Sequence, residues 1–210
     1  MKEEKAKYSG ILLAAGNSSR MNKWKIEIEI QNIPLLFHSL QKLETVCDEV
    51  IVVGGCNFDK LIELIKQTKL VETGNIKVIN NQQYQVGMFS SIKAGMENAQ
   101  YENVFIALAD MPFISIETYG LLKTKFEEEK QYDFVQPAMI LENGKRKKGH
   151  PILINDKVKL AIKRENDSSI LREILRNFSG NSILCEDLGI NYDIDTATDL
   201  LNAEKIFFIK

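Results

Sequence analysis

The sequence predicts a single-domain α/β protein in three layers, α/β/α, around a mostly parallel twisted sheet. Three observations carry this expectation. Short apolar runs alternate with amphipathic segments at a spacing suited to right-handed βαβ crossovers with helices on both faces. One run, Val104–Ala109, is nearly all apolar, as a central parallel strand buried on both faces requires. The 210 residues are 44% apolar, enough for a sizeable core, and no Pro/Gly/Ser-rich linker, internal repeat or low-complexity tract divides them.

Taken in order, Ile11–Ala15 reads as a short buried strand, after which the chain turns small and polar through LAAGNSSRMNKWK, Leu13–Lys25. Gly16 tolerates positive φ, and Asn17, Ser18 and Ser19 are too short to block the backbone, so several N–H groups can converge on one anion. Arg20 adds a planar fork for phosphate oxygens and Lys25 a compact charge on a long arm. The loop fits neither the GxxxxGK(S/T) nor the GxGxxG phosphate pattern. Next, KIEIEI, Lys25–Ile30, alternates with period two and is expected to form a short one-sided strand or extended arm, with Glu27 and Glu29 on a solvated edge. Pro34 then opens an amphipathic helix, LLFHSLQKLETV, in which His38 is an ordinary helix residue.

A second strand, Glu49–Gly55, is followed by a helix over KLIELIKQTKL and a third strand, Ile76–Asn80. Gly87 and the Ser90/Ser91 pair stand just before a helical pattern at Ile92–Ala99. Serine there suits an N-cap, and the same helix N-terminus suits an anion, with Gly87 allowing close approach. The fourth strand ends abruptly in a charge, Asp110. That aspartate could cap the turn at Met111-Pro112. Ligands of open α/β sheets, however, sit beyond the carboxyl ends of strands, where the strand order reverses. If the first and fourth strands are neighbours, Asp110 faces the Leu13–Lys25 loop, and a carboxylate opposite a phosphate cradle suits a hard divalent cation.

A helix over Glu117–Glu129 and a strand in DFVQPAMIL follow, then a hairpin or loop around Asn143-Gly144. Lys145, Arg146, Lys147 and Lys148 form a solvated tip or a patch that steers an anion. Beyond GHPILI come two helical patterns, KVKLAIKR and SSILREILRNF, and then NYDIDTATDL. Thr196 and Asp199 have the spacing of a capping box. Asp193 and Asp195, at i and i+2 on an extended segment, point the same way, toward solvent or a cation. The apolar tail KIFFIK packs against the sheet or a partner subunit.

Composition narrows the function. A net charge of −2 argues against a general nucleic-acid binder. No apolar run approaches the roughly 18 residues of a membrane span, and MKEEKAKYSG has no signal-peptide core, so a cytoplasmic protein is expected. Cys47, Cys56 and Cys185 lack metal-ligand spacing and an even count, and are read as reduced and structural. With only His38 and His150, a histidine zinc site or a hydrolase triad has almost nothing to draw on.

LAAGNSSRMNKWK resembles LAAGxSxRMGxxK, the signature of nucleotidyltransferases that join a nucleoside triphosphate to a phosphorylated acceptor. The resemblance is strongest to the molybdenum cofactor cytidylyltransferases and their relatives, accessory proteins of molybdenum hydroxylases. It continues through GMFSSI (family GMxxSI), ADMP, GHPILI (family GHPxLF), NDSSILR and DIDTATDL (family DIDTPEDL), from Leu12 to Leu200. Asn22 stands where the family has glycine, Ala197 where it has proline, and NDSSILR lacks the family's glycines.

This resemblance implies a Rossmann-like, nucleotide-diphospho-sugar transferase-like fold. One domain, 1–210, would have a nucleotide-binding part at about 8–114 and an acceptor-binding part at about 115–200. It implies nucleotide contacts at Leu13, Ala14, Ala15, Gly16, Asn17, Ser18, Arg20, Lys25, Gly87 and Ser91, with Ser90 an alternative to Ser91. Lys25, Arg20 and Asp110 would be catalytic. Asp110 and Asp195 would hold magnesium, with Asp193 the alternative to Asp195, and Gly149, His150 and Arg172 would touch the acceptor. The expected reaction moves a cytidylyl group from CTP, or another NTP, to the phosphate of molybdenum-molybdopterin, releasing pyrophosphate. The runners-up are a sugar- or polyol-phosphate cytidylyltransferase and a non-catalytic chaperone that hands cofactor to a molybdenum hydroxylase apoenzyme.

Overall fold

The structure, a computed structural model, describes residues 6–16, 24–67 and 74–208. The chain runs β1 (Tyr8–Leu13), a 3₁₀ turn (Lys25–Glu27), β2 (Glu29–Ile30), β3 (Ile33–Pro34), α1 (Leu35–Val46), β4 (Glu49–Gly54) and α2 (Phe58–Lys66). It continues through β5 (Ile76–Asn80), α3 (Met88–Asn98), β6 (Asn103–Leu108), α4 (Ile116–Glu128), β7 (Phe134–Ile140), β8 (Arg146–Lys148) and β9 (Ile152–Ile154). Last come α5 (Asp156–Arg164), α6 (Leu171–Leu175), β10 (Gly180–Leu184) and α7 (Ala197–Phe207).

The main sheet has eight strands in the order β10-β7-β9-β6-β1-β4-β5, with β8 paired to β7. It is mostly parallel: β9 runs antiparallel between β6 and β7, and β8 antiparallel to β7. Residues of alternate parity along each strand enter opposite cores, as the period of two demands. On one face Leu12, Val52 and Phe105 pack with α1, α2 and α4 through Leu40, Leu61 and Leu122. On the other, Ile11, Ile51 and Ile106 pack with α3, α5 and α6 through Ile92, Val158 and Ile174. The three layers expected from the alternation are present.

Two local expectations need correction. Lys25–Ile30 is not one strand: Lys25–Glu27 is a 3₁₀ turn, closed by Ile28 N–H donating to Lys25 O at 3.2 Å. Only Glu29–Ile30 pairs, with Ile33–Pro34, across a two-residue loop in which Gln31 and Asn32 have φ of 51° and 62°. Both central residues of a I′ hairpin take positive φ, which Asn accepts. The alternation still sorts the faces, since Ile26 and Ile30 are buried and Glu27 and Glu29 exposed. The third helix begins at Met88, not Ile92, because Gly87, at φ 143°, takes the N-cap position; Ser90 and Ser91 are inside the helix and buried. β10 and the 3₁₀ turn at Leu188–Asn191 were not expected.

The Thr196–Asp199 capping box is formed. A small apolar cluster joins Ile30 and Leu35 to Ile194 and Ala203, while Phe207 in the apolar tail stacks on Phe113 at 4.3 Å and meets Tyr192 edge-on. These contacts fix α7 and the segment before it against the β2–β3 hairpin. Cys47, Cys56 and Cys185 are free thiols. Among the described residues no helix is long and apolar enough to cross a membrane.

Candidate active site at the carboxyl edge of the sheet

β1 lies between β4 and β6, parallel to both, with Leu13 opposite Val53 on one side and Leu108 on the other. The strand order therefore reverses between β1 and β6, and the crevice beyond their carboxyl ends is where ligands of open α/β sheets bind. The ladder extends a residue past each strand: Ala14 N–H donates to Val53 O at 2.9 Å and Ala109 N–H to Leu13 O at 3.1 Å. Continued along the same register, Ala15 and Asp110 emerge side by side. Leu13, Ala14 and Ala15 are buried and Gly16 exposed. Asn17, Ser18 and Arg20, with Ser19 and Asn22, lie outside the described residues.

Lys25 is brought to the same edge by its neighbours. Trp24 and Ile26, on either side of it, are each 6% exposed, so the turn is pinned to the core beside α1 and the Lys25 side chain between them reaches Asp110 and Asp195. The ammonium donates to Asp110 Oδ2 at 2.9 Å and to Asp195 Oδ1 at 2.6 Å. Burial alone would lower the Lys25 pKa, but Asp110 and Asp195 together outweigh it and hold the value above that of an ordinary lysine. Asp110 Oδ1 is buried with no hydrogen-bond partner among the described residues. Ile194 N–H donates to Asp110 O at 2.8 Å, joining the Asp195 segment to the turn after β6. Asp193 is exposed, so Asp195 is the carboxylate of that pair that meets Lys25.

The Asp110 turn is held from beneath by α1, through residues that sequence reading passed over. Ser39 Oγ donates to Met111 O at 3.3 Å, and Lys42 Nζ to Pro112 O at 2.5 Å. Burial pushes the Lys42 pKa down to about 8, partly offset by Asp187 and Glu117. The available signal was polar residues on the apolar side of an amphipathic helix, which usually means a buried hydrogen bond.

Beyond β5, Asn81 organises the start of α3. Its side-chain amide donates to Ser90 Oγ at 2.8 Å and Ser91 Oγ at 2.9 Å, and its oxygen accepts from Gln83 N–H at 2.9 Å. Ser90 Oγ in turn donates to Gly87 O at 2.8 Å. Gly87 is on the open side of this turn, while Ser91 is 3% exposed beneath it. Asn81 is a further residue the sequence did not single out.

Gly149 and His150, with Arg172 from α6, line one cleft of about 680 Å³. β9 enters antiparallel with Ile152 opposite Ile106, so Gly149–Pro151 lies at the carboxyl end of β6, the edge that carries Asp110. Lys148, Arg176 and Met88 share the cleft, over an apolar floor that includes Phe134 and Leu175. His150 Nε2 is buried without a hydrogen-bond partner among the described residues, and burial pushes the imidazole pKa down to about 4. At neutral pH the ring is uncharged, so the positive charge of this cleft comes from Lys148, Arg172 and Arg176.

Comparison with known proteins agrees with this geometry. The family described as MobA-like NTP transferase domain matches residues 10–182. The molybdenum cofactor cytidylyltransferase of Escherichia coli (strain K12) is 29% identical over 196 residues, covering 93% of this chain and 94% of that protein. A probable molybdenum cofactor guanylyltransferase of Bacillus cereus (strain AH187) is 26% identical over 215 residues, covering 95% of this chain and 97% of its own. The solved 4-diphosphocytidyl-2C-methyl-D-erythritol synthase of Anaerococcus prevotii superposes with a TM-score of 0.75 at 16% identity, covering 96% of each chain. The fold is that of the nucleotide-diphospho-sugar transferases.

Proposed function

The chain belongs to the MobA-like NTP transferase domain family, and from that premise we propose that it transfers a cytidylyl group from CTP to the phosphate of molybdenum-molybdopterin, giving molybdopterin cytosine dinucleotide and pyrophosphate. The observation that carries this reading is the Lys25 ammonium held between Asp110 and Asp195 at the switch point. A cation on a long arm beside paired carboxylates is what a triphosphate and its counter-ion need. The preference for cytidine rests on the Ala14-Ala15-Gly16 form of the first motif and on the Escherichia coli relative. We assign about 8–114 to nucleotide binding and about 115–200 to the acceptor, within one domain.

The Ala14 amide is committed to Val53 O, so the backbone amides that hold the β- and γ-phosphates with Arg20 are those from Ala15 to Ser18, and the α3 N-terminus at Gly87, above the buried Ser91, faces the nucleoside. The acceptor phosphate has a second pKa of about 6 and is already ionised at neutral pH, so no general base is required. Its oxygen attacks the α-phosphorus in line; a new P–O bond forms as the bond to the β-phosphate oxygen breaks, and pyrophosphate departs. Lys25 balances charge on the α-phosphate, and catalysis reduces to positioning and charge neutralisation. His150, neutral and half-buried, is a contact for the acceptor and does not act as a base. Lys148, Arg172 and Arg176 attract the anionic acceptor to the cleft.

The residues present fit magnesium. Asp110 Oδ2 and Asp195 Oδ1 converge on one point, Asp110 Oδ1 has no partner among the described residues, and hard oxygen donors supplemented by substrate phosphates and water are what magnesium prefers. Bound there, the ion would neutralise triphosphate oxygens and the leaving pyrophosphate.

The test is metal-dependent pyrophosphate release with CTP, GTP, ATP or UTP, offered with molybdenum-loaded molybdopterin or with sugar phosphates. Release with CTP and the pterin alone is expected. Release only with a sugar phosphate would make the protein a sugar- or polyol-phosphate cytidylyltransferase. Tight nucleotide binding without release would make it a cofactor-handling chaperone for a molybdenum hydroxylase.

A further inference from the structure

Resting on the metal assignment above, we infer that Lys25 occupies the seat of the divalent cation in the metal-free protein, and that metal binding requires its ammonium to swing out. Asp110 Oδ2 and Asp195 Oδ1 converge on a single point, and that point is Lys25 Nζ, 2.9 Å from one and 2.6 Å from the other. Lys25 is the most enclosed of the three side chains: it is 12% exposed, Asp110 30% and Asp195 43%. A magnesium or manganese ion shared by the same two oxygens would stand where the ammonium stands. Two cations cannot share that space, and their charges repel at contact distance.

The exchange needs no rearrangement of the fold. Trp24 and Ile26 anchor the backbone on either side of Lys25, and the Asp110 turn is fixed by Ser39, Lys42 and Ile194. What moves is the lysine's four-carbon arm. Its resting position screens two carboxylates that would otherwise repel each other. Its released position delivers a positive charge to the crevice where the α-phosphate is proposed to lie. An incoming triphosphate favours the released position and the metal requires it, so each ligand strengthens the binding of the other. Lys25 is thereby a positioning residue for the metal as well as a contact for the nucleotide.

The experiment is a titration with Mn²⁺ alone, without nucleotide, followed by the electron paramagnetic resonance signal of the free ion. Lys25→Met keeps the length of the arm and removes its charge; it should bind Mn²⁺ at least tenfold more tightly than wild type. Lys25→Arg should remain within threefold of wild type. Asp110→Asn introduced beside Lys25→Met should abolish the gain. Unchanged or weaker binding by Lys25→Met would overturn the exchange, as would a gain that survives Asp110→Asn. Loss of Mn²⁺ binding in Asp110→Asn alone separates the two readings: if that variant binds as wild type does, the metal assignment itself fails. A measurement on the unaltered protein guards against misfolded variants. Amine-specific labelling of Lys25, read by mass spectrometry, should rise at least threefold at saturating Mn²⁺, and no rise would refute the exchange.

Discussion

Acidification should weaken the fold through His150, and the size of the effect can be worked out. The folded protein holds this imidazole at a pKa of about 4, because burial disfavours the charged ring; in the unfolded chain the value returns to roughly 6.5. Between those values the unfolded chain takes up a proton that the folded protein refuses. The stability is therefore fully present above pH 6.5 and is lost as pH falls toward 4, at about 1.4 kcal/mol per pH unit. The full span gives a ceiling of about 3.4 kcal/mol, and the ring's partial exposure reduces the expectation to about 2–3 kcal/mol. The His38 pKa is also lowered, mainly by burial, and adds in the same direction. His150→Gln removes the titrating group. Urea unfolding of both proteins at pH 7.0, 6.0, 5.0 and 4.5, followed by circular dichroism, measures the difference. The variant should lose clearly less stability than the wild type over this range, since the carboxylates contribute equally to both. Parallel pH profiles would show that the folded protein lets His150 take up a proton as readily as the unfolded chain does, and burial would not be lowering its pKa.

Three further outcomes are expected. Lys25→Ala and Asp110→Asn should each lower turnover by about 10²–10³ or more while keeping the wild-type circular dichroism spectrum; full turnover in either would refute the mechanism. In Gly55→Ala the new Cβ would lie 2.6 Å from Tyr84 Cβ and 3.0 Å from Ala15 Cβ, forcing the two loops apart. CTP affinity, measured by calorimetry, should fall by about tenfold at unchanged secondary structure. Lys148→Ala and Arg176→Ala should each raise the KM for the acceptor by about three- to tenfold with the KM for CTP unchanged, and the effect should shrink at high salt.

How far the site was legible depended on whether its cause was local. Asp110 stands out because an apolar strand ends in a charge, and the strand order then places it opposite the first loop. Lys25 stands out as a cation closing a small polar loop. That Lys25 meets both Asp110 and Asp195 is a different matter, since the partners are 85 and 170 residues away; nothing in local pattern encodes such a meeting. Periodicity in KIEIEI separated the isoleucines, of which Ile26 and Ile30 are buried and Ile28 half-buried, from the exposed glutamates but gave the wrong backbone, because side-chain alternation reports faces and not hydrogen bonds. Ser90 and Ser91 looked like caps because serine so often caps; here Gly87 takes the cap, and Asn81 draws both hydroxyls inward. Ser39 and Lys42 were hidden in a helix whose amphipathic pattern was sufficient by itself. GNSIL carries too few strand formers to announce β10, which exists because β7 offers it a parallel partner.

The central claim is that a nucleotidyl group is transferred at the crevice shared by Lys25, Asp110 and Asp195. Its most direct measurement follows the label from [α-³²P]CTP in the presence of molybdenum-loaded molybdopterin and magnesium. The account predicts that the label moves into a pterin dinucleotide, one per unlabelled pyrophosphate released, and that Asp110→Asn stops the transfer. Label that stays in CTP, or transfer that proceeds undiminished in Asp110→Asn, would contradict it.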